Sequence, residues 1–382
     1  SNQFSFQPLS PLTPNTNAAL FNASVNTQWM TSNNNNHNHN HSQHGNNGSR
    51  TPTTPHTPLT PLSARSTGSV GGGGSHIRTN SLSGKPMQFG KHSCVCVDNK
   101  RLLLFGGTEG ENTVVTNNLY TYDLETKEWT QIEFEPDAVQ PSARTNHQAA
   151  LVIGPNGRRE MYIVGGGIGQ QMTPTDEIWA LDIEEYTWRL VPFNLKPGQK
   201  TCPFTPRLGF TLHEVNNKLI LYGGGYWYQN GTEKKWKEYY RELFVFDVKT
   251  SVWTNIDMTD CIDHVPRSGT FPVSCRVGAQ LFVVGGGIVW DVSSEINVLD
   301  LVTFKWRKLS SEQAYAADSS ACIALKDYSD QSGVPKTKIL LFGGYRYKPL
   351  SEYKVFAVRW KDFMTERGLD SLTKLDPVPS SS

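Results

Sequence analysis

"MYIVGG" at 161–166, followed after eleven residues by "IWALDIEEYTW" at 178–188, is the stretch whose reading decides the fold. A short apolar run closed by two glycines reads as a strand that ends where side chains have no room. The second piece places apolar residues on a strand, then Asp182, whose carboxylate starts a turn by accepting from its own backbone. Six residues after Asp182, Trp188 opens the next strand and brings a large apolar area to the sheet.

The unit repeats. Glycine pairs also end the apolar runs "LLLFGG" (102–107), "LILYGG" (219–224), "LFVVGG" (281–286) and "ILLFGG" (339–344). The pairs are Gly106–Gly107, Gly165–Gly166, Gly223–Gly224, Gly285–Gly286 and Gly343–Gly344, spaced by about sixty residues. After the first four pairs an Asp precedes a Trp by six positions: Asp123 and Trp129, Asp182 and Trp188, Asp247 and Trp253, Asp300 and Trp306. One such four-stranded sheet cannot bury both faces, whereas a ring of them can, with few exposed edges.

In these residues the chain resembles the kelch-repeat β-propeller family, over about residues 88–360. The resemblance implies an all-β, kelch-type β-propeller. Five glycine pairs give five blades, and six with one degenerate blade stays open. The fifth repeat, "EYKVFAVRWKDF" (352–363), lacks the Asp–Trp frame, so its outer strand is expected to be irregular. Kelch rings usually close by building one blade from both chain ends, and residues 76–87 are placed to supply that strand. A short helix near 360–374 is the single helical expectation. The propeller is expected over 76–375, with residues 376–382 disordered.

Glycine-rich loops after strands also cradle phosphates, and "YGGGYW" (222–227) poses that alternative. A phosphate cradle needs a following helix whose free amides face the anion. Here "YQNGTEKKWKEYYRELFVFDV" follows, which reads as a long charged loop leading into a strand, so the glycines are assigned to the turn.

Composition divides the chain. Of 382 residues, 37% are apolar and 19% charged, low for a protein packed throughout. Residues 1–87 hold no Asp or Glu and only four fixed charges, Arg50, Arg65, Arg78 and Lys85. Residues 1–70, rich in Asn, His, Ser, Thr and Pro, cannot bury enough apolar area to offset chain entropy and are expected to be disordered. Residues 71–75, "GGGGS", form a flexible linker, either natural or a designed join carrying a fused ligand segment. Ser10, Thr13, Thr51, Thr54, Thr57 and Thr60 each precede a proline and are candidate phosphorylation or docking sites. A net charge of +1 gives no global case for nucleic acid. No run of eighteen apolar residues suits a membrane helix, and six cysteines are too few for a disulfide framework. A cytoplasmic location is the expectation, with a nuclear one also allowed.

The resemblance implies that loops after each second strand and loops leading into each first strand open on one face. Arg144, Arg207 and Arg267 lie in the latter loops, and arginines in the Arg-x-Gly context grip acidic peptides in BTB–kelch ubiquitin-ligase adaptors. Arg207 and Arg267 match that context, whereas Asn146 stands where Arg144 would need glycine. Tyr226, Trp227, Trp290, Tyr345, Arg346 and Tyr347 follow the glycine pairs, and aromatic and Arg side chains dominate binding hot spots. Each of these residues has a purely structural alternative, in which rings fold over the rim and guanidinium groups bond loop carbonyls. The insertion 230–242, with Trp236, Tyr239 and Tyr240 beside three lysines, is a further partner patch.

The expected function is non-enzymatic recognition of a protein or short peptide on that face, the N-terminal segment included as a ligand. A ubiquitin-ligase substrate receptor is the alternative, and a small-molecule-acting kelch enzyme or specifier protein is the alternative from another class. Outside the tail, His92, His147, His213 and His264 are scattered without metal-ligand spacing, and no nucleophile motif is present. No cofactor is expected.

Overall fold

The computed structural model describes residues 77–82, 89–110, 113–200, 202–230, 233–266, 271–288, 291–293, 295–309, 321–329, 335–342 and 353–359. Apart from a 3-10 turn at Thr259–His264, their regular structure consists of short antiparallel strands joined by turns and loops. Blade 1 is built from Ser93–Val97, Arg101–Phe105, Leu119–Asp123 and Trp129–Phe134. Blade 2 uses Gln148–Ile153, Arg159–Val164, Ile178–Asp182 and Thr187–Leu190. Blade 3 uses Thr211–Val215, Lys218–Tyr222, Leu243–Asp247 and Val252–Ile256. Blade 4 uses Val273–Val277, Gln280–Val284, Ile296–Asp300 and Trp306–Leu309. The fifth sheet has three strands among the described residues, Ala321–Ser329, Pro335–Phe342 and Tyr353–Arg359. First strands of successive blades lie side by side, from 93–97 to 321–329. Such a fan of four-stranded antiparallel sheets is a kelch-type β-propeller.

The Asp–Trp frame folds as its chemistry requires. Oδ1 of Asp123 accepts from the amides of Glu125 and Thr126, Oδ1 of Asp182 from Glu184 and Glu185, and Oδ1 of Asp300 from Val302 and Thr303. The residue four after each Asp (Lys127, Tyr186, Ser251, Phe304) takes a left-handed φ of 52–61°. The tryptophans then cross between blades. Trp188 of blade 2 lies 4.9 Å from the Phe105 ring of blade 1, and Trp306 of blade 4 lies 4.7 Å from Tyr222 of blade 3. Three apolar clusters therefore span two neighbouring blades each: Leu103, Phe105, Met161 and Trp188; Tyr162, Val164, Leu221 and Phe244; Leu243, Val245, Leu281 and Trp306.

Two expectations are corrected. The segment expected to close the ring does contribute a strand, Ile77–Ser81, but it pairs antiparallel with Trp129–Phe134 as the fifth strand of blade 1. A main-chain ladder from Ile77 with Phe134 to Ser81 with Thr130 holds it there, with Arg78 beside Glu135 at the exposed edge. The insertion expected as a loop is a hairpin, Gly225–Asn230 against Glu233–Tyr239, rich in the aromatic residues that favour strands. The fifth glycine pair Gly343–Gly344, the helix near 360–374, and residues 1–76 with their six Ser/Thr-Pro sites lie outside the described residues.

Glycine is required at Gly107. Its φ is +83°, and an added Cβ would stand 2.4 Å from the Gly90 carbonyl oxygen and 2.6 Å from the His92 nitrogen. Gly110, at φ +67°, faces open space. Gly107→Ala is expected to cost about 3 kcal/mol or more, and Gly110→Ala about 1 kcal/mol, measured as urea unfolding midpoints.

Candidate functional site

The face opened by the loops is organised by one repeated set of bonds. The Arg144 guanidinium is fully buried. Its Nε donates to the Ser142 carbonyl at 3.2 Å, Nη1 to the Gly165 carbonyl at 3.3 Å, and Nη2 to Glu177 Oε2 at 2.6 Å. Arg207 repeats this in blade 3, donating to the Thr205 carbonyl at 3.1 Å, the Gly223 carbonyl at 3.2 Å and Glu242 Oε2 at 2.7 Å. Its guanidinium also lies 3.9 Å above the Tyr240 ring, with Phe204 and Phe244 near 5 Å. Both arginines are thus spent within their own blades. Burial pushes the Arg144 pKa down, and the Glu177 carboxylate partly offsets that. Burial alone would raise Glu177, but donation from Trp179 and Arg144 outweighs it and holds the carboxyl below its usual range.

Backbone bonds stitch neighbours together at the same level. The Gly107 amide donates to the Arg144 carbonyl, and the Gly166 amide to the Arg207 carbonyl. Nearer the axis, the Asn146 amide donates to the Lys91 carbonyl, Gly209 to Asn146, and Phe271 to Gly209. These four residues all have left-handed φ values, between 55° and 68°. In blades 2 and 3 the left-handed residue stands two positions after the arginine. In blade 4 it is Phe271, four positions after Arg267, so the third arginine context is not in register with the other two.

The expected partner-face residues therefore separate. Arg144, Asn146 and Arg207 are corrected: all three are buried and bonded inside the fold. Asn146 donates from Nδ2 to Thr145 Oγ1 and to Met172 Sδ, and holds the left-handed turn that asparagine tolerates. Tyr226 is partly exposed and stacks on Tyr240 at 6.5 Å, and Trp227 lies on the first strand of the blade 3 hairpin. Arg267, Trp290, Tyr345, Arg346 and Tyr347 lie outside the described residues. Sequence reading missed the acid just before each third strand, Glu177 in "EIW", Glu242 in "ELF" and Glu295 in "EIN". An acid at one register in three consecutive repeats was the available signal.

The loops above this spine differ in size. In blades 1, 2 and 4 the hairpin after the glycine pair has strands of two residues, 108–109 with 114–115, 167–168 with 173–174, and 287–288 with 291–292. In blade 3 it has strands of six and seven residues and is tied to the incoming loop by two bonds between Leu208 and Gly225. Tyr226, Tyr239 and Tyr240 are partly exposed at its base. Glu177 and Glu242, whose inner oxygens hold the arginines, keep 35% and 40% of their side-chain surface exposed. The described face thus presents phenol rings and carboxylate edges.

Among the described residues no three His, Cys, Asp or Glu side chains come together to hold a metal ion. Cys94 is buried, and burial, then the neighbouring Cys96, pushes its thiol up to about 12. His92 and His213 are buried neutral imidazoles, pushed down by burial to about 4 and about 3, with Arg276 also depressing His213. His213 Nε2 meets Ser274 Oγ of blade 4 at 2.6 Å. No helix among the described residues is long and apolar enough to cross a membrane.

Arg207→Ala is expected to cost about 3 kcal/mol of stability, since it strands the Gly223 carbonyl and the Glu242 charge, and Glu242→Gln should cost less. Denaturant titration of both variants checks this. The unfolded chain protonates histidine near pH 6.5, whereas the folded chain resists until about pH 4 or below. The stability that rests on these neutral histidines is therefore complete above pH 6.5 and is lost as pH falls toward 4. His92→Gln should flatten that fall in a series of unfolding midpoints against pH.

The domain family described as the KLHDC2/KLHL20/DRC7 Kelch-repeats domain matches residues 76–286 and 157–368. Kelch domain-containing protein 3 of Homo sapiens is 26% identical over 280 residues, covering 69% of this chain and 62% of its own. Kelch domain-containing protein 1 of Mus musculus is 24% identical over 275 residues, covering 66% and 62%. Acyl-CoA-binding domain-containing protein 4 of Arabidopsis thaliana is 27% identical over 217 residues, covering 56% of this chain and 29% of that protein. The chain thus spans less than two thirds of the length of each of these relatives. The repeated glycine pairs, the Asp–Trp turns and the family match together place the chain in the kelch-repeat family.

Proposed function

We propose that this propeller is a non-enzymatic recognition module that holds an extended protein segment on its loop face, against the blade 3 hairpin. Kelch-repeat domains generally bind proteins, and the coarse reading as an interaction module rests on that family. The observation that carries the finer reading is the break in symmetry at 225–239. Blades 1, 2 and 4 make the same turn with two-residue strands, so the fold does not need the longer hairpin. Loops that exceed what the scaffold needs are where binding residues concentrate. Tyr226, Tyr239 and Tyr240 supply rigid rings with a polar tip at its base.

Away from the hairpin strand Glu233–Tyr239, which itself carries Lys234, Lys235 and Lys237, charge favours a neutral-to-basic segment over an acidic one. The guanidinium groups are consumed internally and the carboxylate edges face outward. The chain holds 36 Lys and Arg against 35 Asp and Glu, and four of the former and none of the latter lie in 1–87, leaving residues 88–382 at net −3. The N-terminal segment, with no acid and many prolines, is the ligand this chain itself offers, in cis or between copies.

Calorimetric titration of a peptide covering residues 1–66 into a protein of residues 76–382 tests the reading. Saturable binding is expected, weakened at least tenfold when 227–238 is replaced by Asn-Gly and also weakened by Tyr239→Ala. Equal binding by the shortened hairpin would remove the site from blade 3. No binding heat would remove the N-terminal segment as the ligand.

A further inference from the structure

The strand Ile77–Ser81 is an addition to a blade that already has four strands. Its contacts go to the outer strand of blade 1. Register pairs run from Ile77 with Phe134 to Ser81 with Thr130, and the Leu82 amide donates to the Trp129 carbonyl. Ile77 packs at the margin of the cluster shared by blades 1 and 2, and Leu82 at the margin of Phe89, Leu104 and Tyr120. Between these two anchors, residues 78–81 are exposed. Asn80 donates to Glu133, and Arg78, with 74% of its side chain exposed, stands 3.6 Å from Glu135.

The surface receiving the strand is acidic. From Asp123 to Glu135 the chain carries Asp123, Glu125, Glu128, Glu133 and Glu135 against one cation, Lys127. The added strand brings a single fixed charge, Arg78, so attraction across the edge is of the favourable sign. Arg78 has a second property. It lies three residues before Ser81, in "RTNS", the spacing at which basophilic protein kinases pair an acidic pocket with an arginine N-terminal to the acceptor hydroxyl. An exposed five-residue edge strand opens locally at low cost, and such a kinase reads an extended peptide, so the acceptor is accessible.

We propose that Ser81 is a phosphorylation site and that its modification releases this strand from blade 1. The γ-phosphoryl group of a nucleoside triphosphate passes to Ser81 Oγ, the hydroxyl proton goes to the kinase base, and nucleoside diphosphate leaves. The product carries about −1.5 to −2 on Ser81. The strand's charge changes from +1 to about −1 beside five carboxylates. Ser81 stands opposite Thr130, with Glu128 just before that strand begins, and neither position holds a cation to receive the phosphate. Attraction becomes repulsion at an edge whose own stability is small. Because residues 1–76 join the propeller through this strand, the modification sets whether they are anchored at blade 1.

The full chain would be incubated with ATP and the catalytic subunit of an arginine-directed kinase, then mapped by mass spectrometry and amide hydrogen exchange. Phosphate at Ser81 is expected, together with at least tenfold faster exchange over 77–82 and 129–134 and unchanged exchange over 148–164. A synthetic peptide of residues 74–86 should be phosphorylated at least tenfold more slowly when it carries Arg78→Ala, which separates kinase reading from strand stability. In Glu128→Gln/Glu133→Gln/Glu135→Gln, phosphorylation of Ser81 should leave exchange over 77–82 close to that of the unmodified variant. No phosphate at Ser81 in either the chain or the peptide overturns the site. Phosphate with unchanged exchange in the wild type overturns the release.

Discussion

A buried arginine donating to the carbonyl of the first glycine in a pair, and to the glutamate before the third strand, is the interaction on which the loop face depends. In blades 2 and 3 its side chain ties together three segments: the incoming loop, the end of the second strand and the start of the third. The same arginine's carbonyl accepts the amide of the second glycine of the preceding blade. One residue therefore sets both the internal geometry of a blade and its registry with its neighbour. A buried guanidinium is tolerated because all three of its nitrogens donate to the fold and a carboxylate lies within 2.7 Å. The glycines follow from this arrangement. Where a neighbouring carbonyl must approach that closely, a Cβ has no place.

Much of the fold was legible because its constraints fall on residues with distinctive chemistry. The Asp–Trp frame could be read in four repeats since a carboxylate starting a turn and a tryptophan opening a strand leave a fixed interval. What followed each Asp was not legible. The left-handed residue four positions on is Lys127, Tyr186, Ser251 or Phe304, none of which marks such a conformation in a sequence. The turn imposes it by tertiary necessity, through the bond from that residue's amide back to the Asp carbonyl at Lys127, Tyr186 and Ser251.

The loop face shows the limit from the other side. The direction of Arg144 and Arg207 depends on glutamates 33 and 35 residues away, a pairing that only the blade geometry creates. An arginine in a loop reads as a hand extended to a partner when the carboxylate it pairs with is not in view. Likewise the segment 76–87 could be read as a strand, but its pairing edge could not. Its partner strand is set by charge and by two apolar anchors on blade 1, features with no trace in the repeat period.

Three of the apolar clusters each span two adjacent blades, Trp188 reaching Phe105 and Trp306 reaching Tyr222. Energetically the described blades therefore behave as a one-dimensional array, with stability summed over nearest-neighbour interfaces. In an array of that kind a substitution in a face hairpin is felt by its own blade and by little else. Recognition can then be rewritten one hairpin at a time while the interfaces beneath stay intact, which gives this architecture a separation between the residues that keep it folded and those free to acquire new partners.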